Sequence, residues 1–174
     1  ERFPFEILGF HCDNGSEYIN HRVAGLLRKL HIEFTKSRAR QSNDNALVES
    51  KNGSVVRKHL GYSHIPQRFA AQVNAFTVEV LSPYLNYHRP CLFPEEHTDG
   101  RGKRRQRYSY ANLMTPYEKF RSLPEAERFL RPGLRFEQLD DIARQHSDNE
   151  AARRLNEARA KLFRTINRSQ KPAA

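Results

Sequence analysis

Two carboxylates stand in short polar segments of this 174-residue chain, with 35 residues between them. Asp13 follows an almost continuous apolar run, and Glu49 lies in a segment with the composition of a helix start. Carboxylate oxygens are the hard ligands that Mg²⁺ prefers, and Mg²⁺ ions assist phosphodiester chemistry in many enzymes. The separation alone does not imply catalysis, so the elements that would hold the two side chains have to be considered next.

The segment around Asp13 has the pattern of a strand, a helix and a second strand. Residues 5–12 are nearly all apolar, as in a strand covered on both faces, and the run ends at a turn signal that begins with Asp13. Apolar residues recur at helical spacing from Ile19 to Leu30, and residues 32–35 alternate as in a short strand. Asp13 is therefore expected at the carboxyl end of a strand, the edge at which open α/β sheets bind ligands.

Two helices are predicted after these strands. The first runs from about Asp44 to Leu60, is capped by Ser42 or Asn43 and ends at Gly61, so it carries Glu49 in its first turns. The second follows Pro66. Its predicted buried stripe consists of Phe69, Val73, Phe76 and Val80, and Pro83 and Pro90 are expected to end this regular region.

The rest of the chain is predicted to be a polar linker followed by short helices. Residues 95–107 have no apolar periodicity and become strongly basic. Thr115 with Glu118 and Ser147 with Glu150 have the spacing of capping boxes at helix starts. Helices are expected near residues 137–145 and 150–166.

The segments around the two carboxylates resemble those of the DDE-type transposases and integrases, a family that includes bacterial insertion-sequence transposases and retroviral-type integrases. Its second carboxylate lies in an Asp-x-Gly-x-Glu-like segment after a strand, here Cys12-Asp13-Asn14-Gly15-Ser16-Glu17-Tyr18. Its third begins a helix at a similar distance, here Asn43-Asp44-Asn45-Ala46-Leu47-Val48-Glu49-Ser50-Lys51-Asn52. The resemblance covers about residues 1–90, up to Tyr84-Leu85-Asn86-Tyr87-His88-Arg89-Pro90, and the segment around Met114-Thr115-Pro116-Tyr117 is similar to C-terminal parts of such transposases.

This resemblance implies an α/β fold with a partial RNase H-like integrase core over residues 1–92, a basic linker over 93–110 and a small, mostly helical region over 111–174. It implies metal-dependent DNA cleavage and strand transfer, the chemistry of DNA integration and transposition. Two Mg²⁺ or Mn²⁺ ions are expected in the complete enzyme. Asp13 would bind or bridge the ions, and Glu49 would bind the second one.

Other residues near the carboxylates are candidates for contacts with DNA. Asn45 and Asn52 share a face of the predicted helix with Glu49 and would orient its carboxylate or contact DNA, although a helix start and a solvated amide also explain them. Lys51, Arg57 and Lys58 flank the site as candidate phosphate contacts. Asp44 lies in the first helical turn, where the helix dipole explains it, and receives no catalytic role.

The charge distribution also indicates a nucleic-acid partner. Residues 1–100 carry 12 Lys and Arg against 11 Asp and Glu, whereas residues 101–174 carry 18 against 9, so nearly all of the net charge of +10 lies in the second part. A positive field attracts polyanions, of which nucleic acid is the commonest in cells. The strongest cluster, expected to bind DNA as a basic arm, consists of Arg101, Lys103, Arg104, Arg105 and Arg107.

Composition sets the broader class. The chain has 37% hydrophobic and 29% charged residues, only two cysteines and no apolar run of the length that spans a bilayer. We therefore expect a cytoplasmic protein with reduced thiols and no membrane partner. The resemblance implies that it is bacterial and associated with the nucleoid. The resemblance implies that it acts on element ends and target DNA as a homo-multimer when full length.

The family's first catalytic Asp has no counterpart here, since no Asp precedes Asp13. The chain starts at Glu1 and reads as a fragment, and a site whose residues act as a unit is expected to be inactive without one of them. Three alternatives remain open: a nonenzymatic basic DNA-binding module with Arg153, Arg154 and Arg159 on a helix-turn-helix, an RNase H-like nuclease, and a decayed transposase remnant.

Overall fold

Residues 4–12, 21–37, 52–100 and 102–168 are described by a computed structural model. The chain has a mixed α/β structure that divides into two units, Glu1–His64 and Ile65–Ala174, and the described residues of each unit form one two-stranded sheet. Across the described ranges, every helix is too short or too polar to cross a membrane. Asp13, Asn45, Glu49, Lys51 and Arg101 lie outside the described residues.

The first unit contains the predicted strand, helix and strand. Strand β1 (Gly9–Cys12) pairs in parallel with β2 (Glu33–Lys36), and helix α1 (His21–Lys29) connects them along the chain. Phe10 lies opposite Phe34 in the register, and their rings stack with centroids 6.1 Å apart. A parallel pair needs a crossover of this kind, because its second strand has to start at the same end as the first.

The first strand is shorter than the apolar run predicted. Residues 6–8 precede β1 without regular structure, and Leu8 is 60% exposed, so the expectation of a strand covered on both faces is wrong for this part. The physical reason is the small sheet: within the described ranges only β2 pairs with β1, and α1 buries only Leu27 of its own residues. An apolar run predicts burial only where enough neighbouring structure covers it.

The end of the helix that would carry Glu49 is described. A π-helical turn (Asn52–Arg57) continues into α2 (Lys58–Leu60) and ends at Gly61, as predicted. Gly61 has a φ of 78°, which glycine adopts without the steric cost that a side chain brings. The predicted start of this helix lies among residues 38–51, outside the described ranges.

A central helix, residues 67–88, forms the axis of the second unit. It consists of a 3₁₀ turn (Gln67–Phe69), α3 (Ala70–Phe76) and two π-helical segments (Thr77–Leu81 and Tyr84–His88) that flank Ser82 and Pro83. Of the predicted stripe, Phe69 and Phe76 are buried and Val73 and Val80 half-buried. The prediction that Pro83 ends the helix is wrong. Proline removes only one backbone donor, and the helix continues past it to His88, with the Asn86 side-chain amide donating to the Ser82 carbonyl over 2.8 Å.

A β-hairpin replaces most of the predicted linker. Strand β3 (Cys91–Thr98) pairs antiparallel with β4 (Arg104–Met114), so the expectation of an irregular segment is wrong here. The Asp99 carboxylate accepts from the Lys103 amide over 3.0 Å across the turn, and Gly102 has a φ of 75°. Strand pairing satisfies the backbone hydrogen-bonding groups of this polar segment without an apolar core. Apolar periodicity therefore does not predict the hairpin.

The C-terminal region is helical, as predicted. It contains α4 (Pro116–Arg121), a 3₁₀ turn (Ala126–Phe129), α5 (Phe136–Arg144) and α6 (Asp148–Arg168). The predicted capping box of Thr115 with Glu118 is complete, and of the predicted box at Ser147 the bond from the Glu150 amide to the Ser147 hydroxyl is present. Tyr117, Ala126, Leu130, Phe136 and Leu139 form a buried cluster.

Candidate functional site

The carboxyl end of β1 carries a small polar network next to the position of Asp13. The His11 Nδ1 atom lies 2.9 Å from the Thr35 hydroxyl, and its Nε2 atom lies 3.3 Å from the Ser37 hydroxyl. Ser37 also binds the Cys12 carbonyl through its backbone amide at 3.0 Å and through its hydroxyl at 3.3 Å. Because the two strands are parallel, their carboxyl ends meet at one edge, and these bonds fix β2 against the residue that precedes Asp13.

The candidate catalytic carboxylates are not described themselves. Asp13 directly follows β1, and Asn52, three residues after Glu49, begins the helical segment Asn52–Leu60. The expected approach of the two carboxylates to within metal-bridging distance therefore stays a prediction. Within the described ranges, no three His, Cys, Asp or Glu side chains are grouped so that they could hold a metal ion.

The described residues near Glu49 are exposed. Asn52, Arg57 and Lys58 all face solvent, and the Arg57 guanidinium lies over the Tyr62 ring, 5.4 Å from its centroid. This stacking holds the Arg57 side chain while leaving its charge accessible, an arrangement compatible with phosphate binding.

The basic cluster is arranged along β4 with acidic residues beside it. In the register, Arg105 lies opposite His97 and Arg107 lies opposite Glu95. The Arg105 Nε atom donates to Asp99 over 3.0 Å, and Arg104 lies 3.8 Å from Glu96. Among the described residues, Lys103 and Arg107 form no ion pair, so these two are the cations with the least internal neutralisation.

The second unit contains a polar network that spacing in the sequence does not reveal. The Tyr117 hydroxyl donates to Asp140 over 2.6 Å and also contacts the Phe136 carbonyl at 3.3 Å, and Arg121 pairs with the same carboxylate. The network borders a cavity of about 330 Å³ lined by Tyr87, Thr115, Tyr117, Asp140, Arg144 and Asp148, among others. These residues come from separate elements, so no local pattern brings them together.

The protonation of this network argues against acid–base catalysis near neutral pH. Burial, reinforced by the bond to Asp140, raises the pKa of Tyr117 well above its ordinary value. The Tyr117 hydroxyl and Arg121 hold the pKa of the Asp140 carboxyl below its usual range. Efficient general acids and bases have pKa values near the working pH, and both groups are shifted away from it. The network stabilises the packing of α4 against α5.

A similar contact joins the central helix to α6. His88 is buried, and its Nδ1 atom lies 3.0 Å from the Asp148 carboxylate at the start of α6. A hydrogen bond that reaches a buried ring nitrogen avoids the cost of leaving that atom unsatisfied. This contact therefore fixes where α6 begins relative to the end of the central helix.

Comparison with known proteins finds one match, and the description of that protein does not indicate an activity. An uncharacterized protein, y4rM, from Sinorhizobium fredii (strain NBRC 101917 / NGR234) is 36% identical over 96 residues, which is 55% of this chain and 27% of the relative. The chain thus spans only about a quarter of the length of the relative it matches. No protein-family profile and no solved structure matches the chain.

Proposed function

We propose that this chain supplies part of the active site of a DDE-type DNA strand transferase, a transposase or integrase with an RNase H-like core. The observation that carries the proposal is the occurrence of both carboxylate segments, around Asp13 and Glu49, with 35 residues between them. Each segment matches the family in several positions, which makes a chance coincidence of both at this distance improbable. The proposed partners are element ends and target DNA, and the proposed assembly is a homo-multimer on DNA.

The local structure supports the proposal in two ways. Asp13 directly follows a strand that is paired in parallel with its neighbour, and ligands of open α/β sheets bind at such carboxyl ends. The residues that directly follow the segment of Glu49 are helical from Asn52 onwards. The resemblance implies a strand end for Asp13 and a helix start for Glu49.

The donor set suits the proposed ions. Two carboxylates are hard oxygen ligands of the type that Mg²⁺ and Mn²⁺ accept, and no Asp precedes Asp13 to act as the family's first ligand. When bound, two such ions would activate the attacking oxygen and stabilise the leaving one. Asp13 and Glu49 would hold the ions, Asn45 and Asn52 would orient Glu49 or the DNA, and Lys51, Arg57 and Lys58 would bind phosphates. His11 and Ser37 would keep the strand end before Asp13 in place.

The test compares three substitutions in a chain that also carries the family's first Asp. Asp13→Asn and Glu49→Gln keep the side-chain shape but remove the charge that holds metal, so strand transfer with Mg²⁺ or Mn²⁺ should fall by orders of magnitude while DNA binding persists. Asp44→Asn is the matched control and should keep most of the activity. Joining of end-containing oligonucleotides to a target duplex is the measurement.

Each outcome of this assay has a clear meaning. Substantial joining by the Glu49→Gln variant, or loss confined to Asp44→Asn, contradicts the assignment. Cleaved but never joined ends would favour the RNase H-like nuclease. A nonenzymatic DNA-binding module, which the charge of +9 in residues 101–174 favours, would bind the oligonucleotides without changing them.

A further inference from the structure

The long helix α6 has two faces of different character. Its buried residues, Ala151, Leu155, Leu162 and Ile166, form one stripe, and the helix packs against the central helix. With 3.6 residues per turn, Arg164 and Arg168 lie on the side away from this stripe, and Lys161 lies beside them. All three are exposed. We call these three residues the basic stripe.

The charges of α6 are neutralised in its first half and not in its second. Near the start, Arg153 pairs with Glu157 over 2.9 Å, and Glu150 lies 3.5 Å from His146. No acidic residue follows Glu157 in α6. Within the ranges that the structure describes, no residue of the basic stripe forms an ion pair, and Glu157, one turn before Lys161, is paired with Arg153 instead.

The helix dipole explains only part of this arrangement. Cations are favoured in the last turn of a helix, where the dipole is negative, and Arg168 lies in that turn. Lys161 lies about two turns before the end, where the effect has faded. The common property of the three residues is therefore their shared exposed face rather than their distance from the helix end.

We propose that the basic stripe binds the phosphodiester backbone of a nucleic-acid duplex without reading its bases. Its residues span roughly 10 Å at 1.5 Å per residue, and a DNA duplex carries about one negative charge per 1.7 Å of its axis, so each cation can meet a phosphate. The buried stripe of α6 holds the helix in place, which lets the cations act together. This surface needs no metal and does not depend on the proposed strand transfer.

The opposite face argues against a membrane surface as the partner. Helices that bind membranes expose an apolar face beside their cations, which enters the lipid. In α6 the large apolar residues Leu155, Leu162 and Ile166 are buried against protein. A nucleic-acid duplex fits the basic stripe better, because it offers closely spaced phosphates along a rigid path.

The test is the salt dependence of binding by the 174-residue chain, measured by fluorescence anisotropy in the presence of EDTA. The probes are a 20-base-pair DNA duplex, an RNA duplex of the same sequence and vesicles that contain phosphatidylserine. The triple variant Lys161→Gln, Arg164→Gln, Arg168→Gln should lower the slope of log K against log salt by about 2 to 3 units and weaken DNA binding about tenfold or more. RNA binding should weaken in the same way, since the backbone alone is recognised.

A matched control removes three cations that already have acidic partners. Arg128, Arg144 and Arg153 pair with Glu125, Asp141 and Glu157, and changing these three to Gln removes the same total charge. This control should change the slope by less than half as much as the first triple variant. The Lys161→Arg variant, in which all three residues of the basic stripe are Arg, should keep full binding.

Three results would overturn the proposal. One is an unchanged salt slope in the basic-stripe variant, and another is an equal loss in the control. The third is a loss confined to the vesicles, which would make the partner a lipid surface. Circular dichroism of each variant excludes unfolding, and because EDTA removes metal, failure here is distinguishable from failure of the strand-transfer proposal.

Discussion

Tyr117 is the residue whose surroundings shift its pKa most clearly. Its ring is buried between Tyr87 and Phe136, with ring centroids 5.1 Å and 6.4 Å away, while its hydroxyl reaches Asp140. An aromatic residue with a polar end can thus fill a core and still satisfy its hydroxyl. In the folded chain this hydroxyl keeps its proton more tightly than in the unfolded chain, because its pKa is raised.

This shift predicts how stability depends on alkaline pH. A raised folded pKa contributes stability that is fully present below the unfolded value near 10 and is lost as pH rises through the folded value. The Tyr117→Phe variant should therefore lose less stability than the wild type between pH 9 and pH 11.5. At pH 7 it should be less stable by about 1 kcal/mol, because one hydrogen bond is lost. Urea unfolding at both pH values measures the two effects.

The matched control is Tyr110→Phe, because Tyr110 is 86% exposed. It should leave both the stability at pH 7 and the alkaline loss unchanged. Burial also raises the pKa of Tyr87, so part of the alkaline loss should remain in the Tyr117→Phe variant. A Tyr117→Phe curve parallel to that of the wild type would contradict the prediction.

At the scale of elements, the start of α6 depends on one contact with the central helix. His88 is buried, whereas Asp148 is 68% exposed. Without the contact, the carboxylate could bind water, but the buried ring nitrogen could not. Changing Asp148 to Ala should leave the buried Nδ1 atom without this partner and destabilise the chain by about 1–3 kcal/mol. Thermal unfolding followed by circular dichroism measures the loss.

A control for this change is Asp141→Ala, which removes an exposed carboxylate from a surface pair with Arg144 at 3.4 Å. Exposed pairs contribute roughly 0–1 kcal/mol, so this variant should unfold close to the wild type. Equal losses in the two variants would show that the contact with His88 contributes nothing beyond an ordinary surface charge.

Elements with a strong local signal could be predicted from the sequence. The helix end at Gly61 and the capping residues Thr115 and Ser147 each depend on residues close to one another in the chain, and the two strands of the first unit follow from their local residue patterns. The hairpin is not predicted because its polar strands have no apolar periodicity and depend on backbone pairing, which leaves no such pattern. The expectation that Pro83 ends the helix considers only the backbone N–H donor that proline lacks. The packed central helix tolerates the loss of this one hydrogen bond and continues to His88.

The candidate site was likewise only partly predictable from the sequence. Asp13 and Glu49 could be found from the sequence because both segments resemble a known family, although their geometry lies outside the described residues. The contacts of His11 with Thr35 and Ser37 could not be found, since they require the register of two strands. The network around Tyr117 and Asp140 joins residues 23 positions apart and has no local signal.

At the scale of the whole molecule, the net charge of +10 is concentrated in residues 101–174. Part of this charge is neutralised locally by neighbouring acids, as at Arg105 with Asp99 and at Arg153 with Glu157. The cations without such partners should make the larger contribution to the binding of a polyanion, because their charge is not already compensated. Counting charges along the sequence therefore overestimates the surface that is free to bind a polyanion.

The hairpin allows this distinction to be tested with equal changes in charge. Replacing Arg101, Lys103, Arg104, Arg105 and Arg107 together by Ser should flatten the salt dependence of weak, sequence-independent binding to duplex DNA. Lys103→Ser with Arg107→Ser should account for most of this effect, with a slope lower by about 1 to 2 units, since neither residue forms an ion pair within the described residues. Arg104→Ser with Arg105→Ser should have the smaller effect, because Glu96 and Asp99 already lie beside these side chains.

Anisotropy titrations over a range of salt concentrations give the slopes. An unchanged slope in the fivefold variant would place the DNA-binding surface elsewhere, and equal slopes in the two double variants would mean that the hairpin ion pairs open when DNA binds.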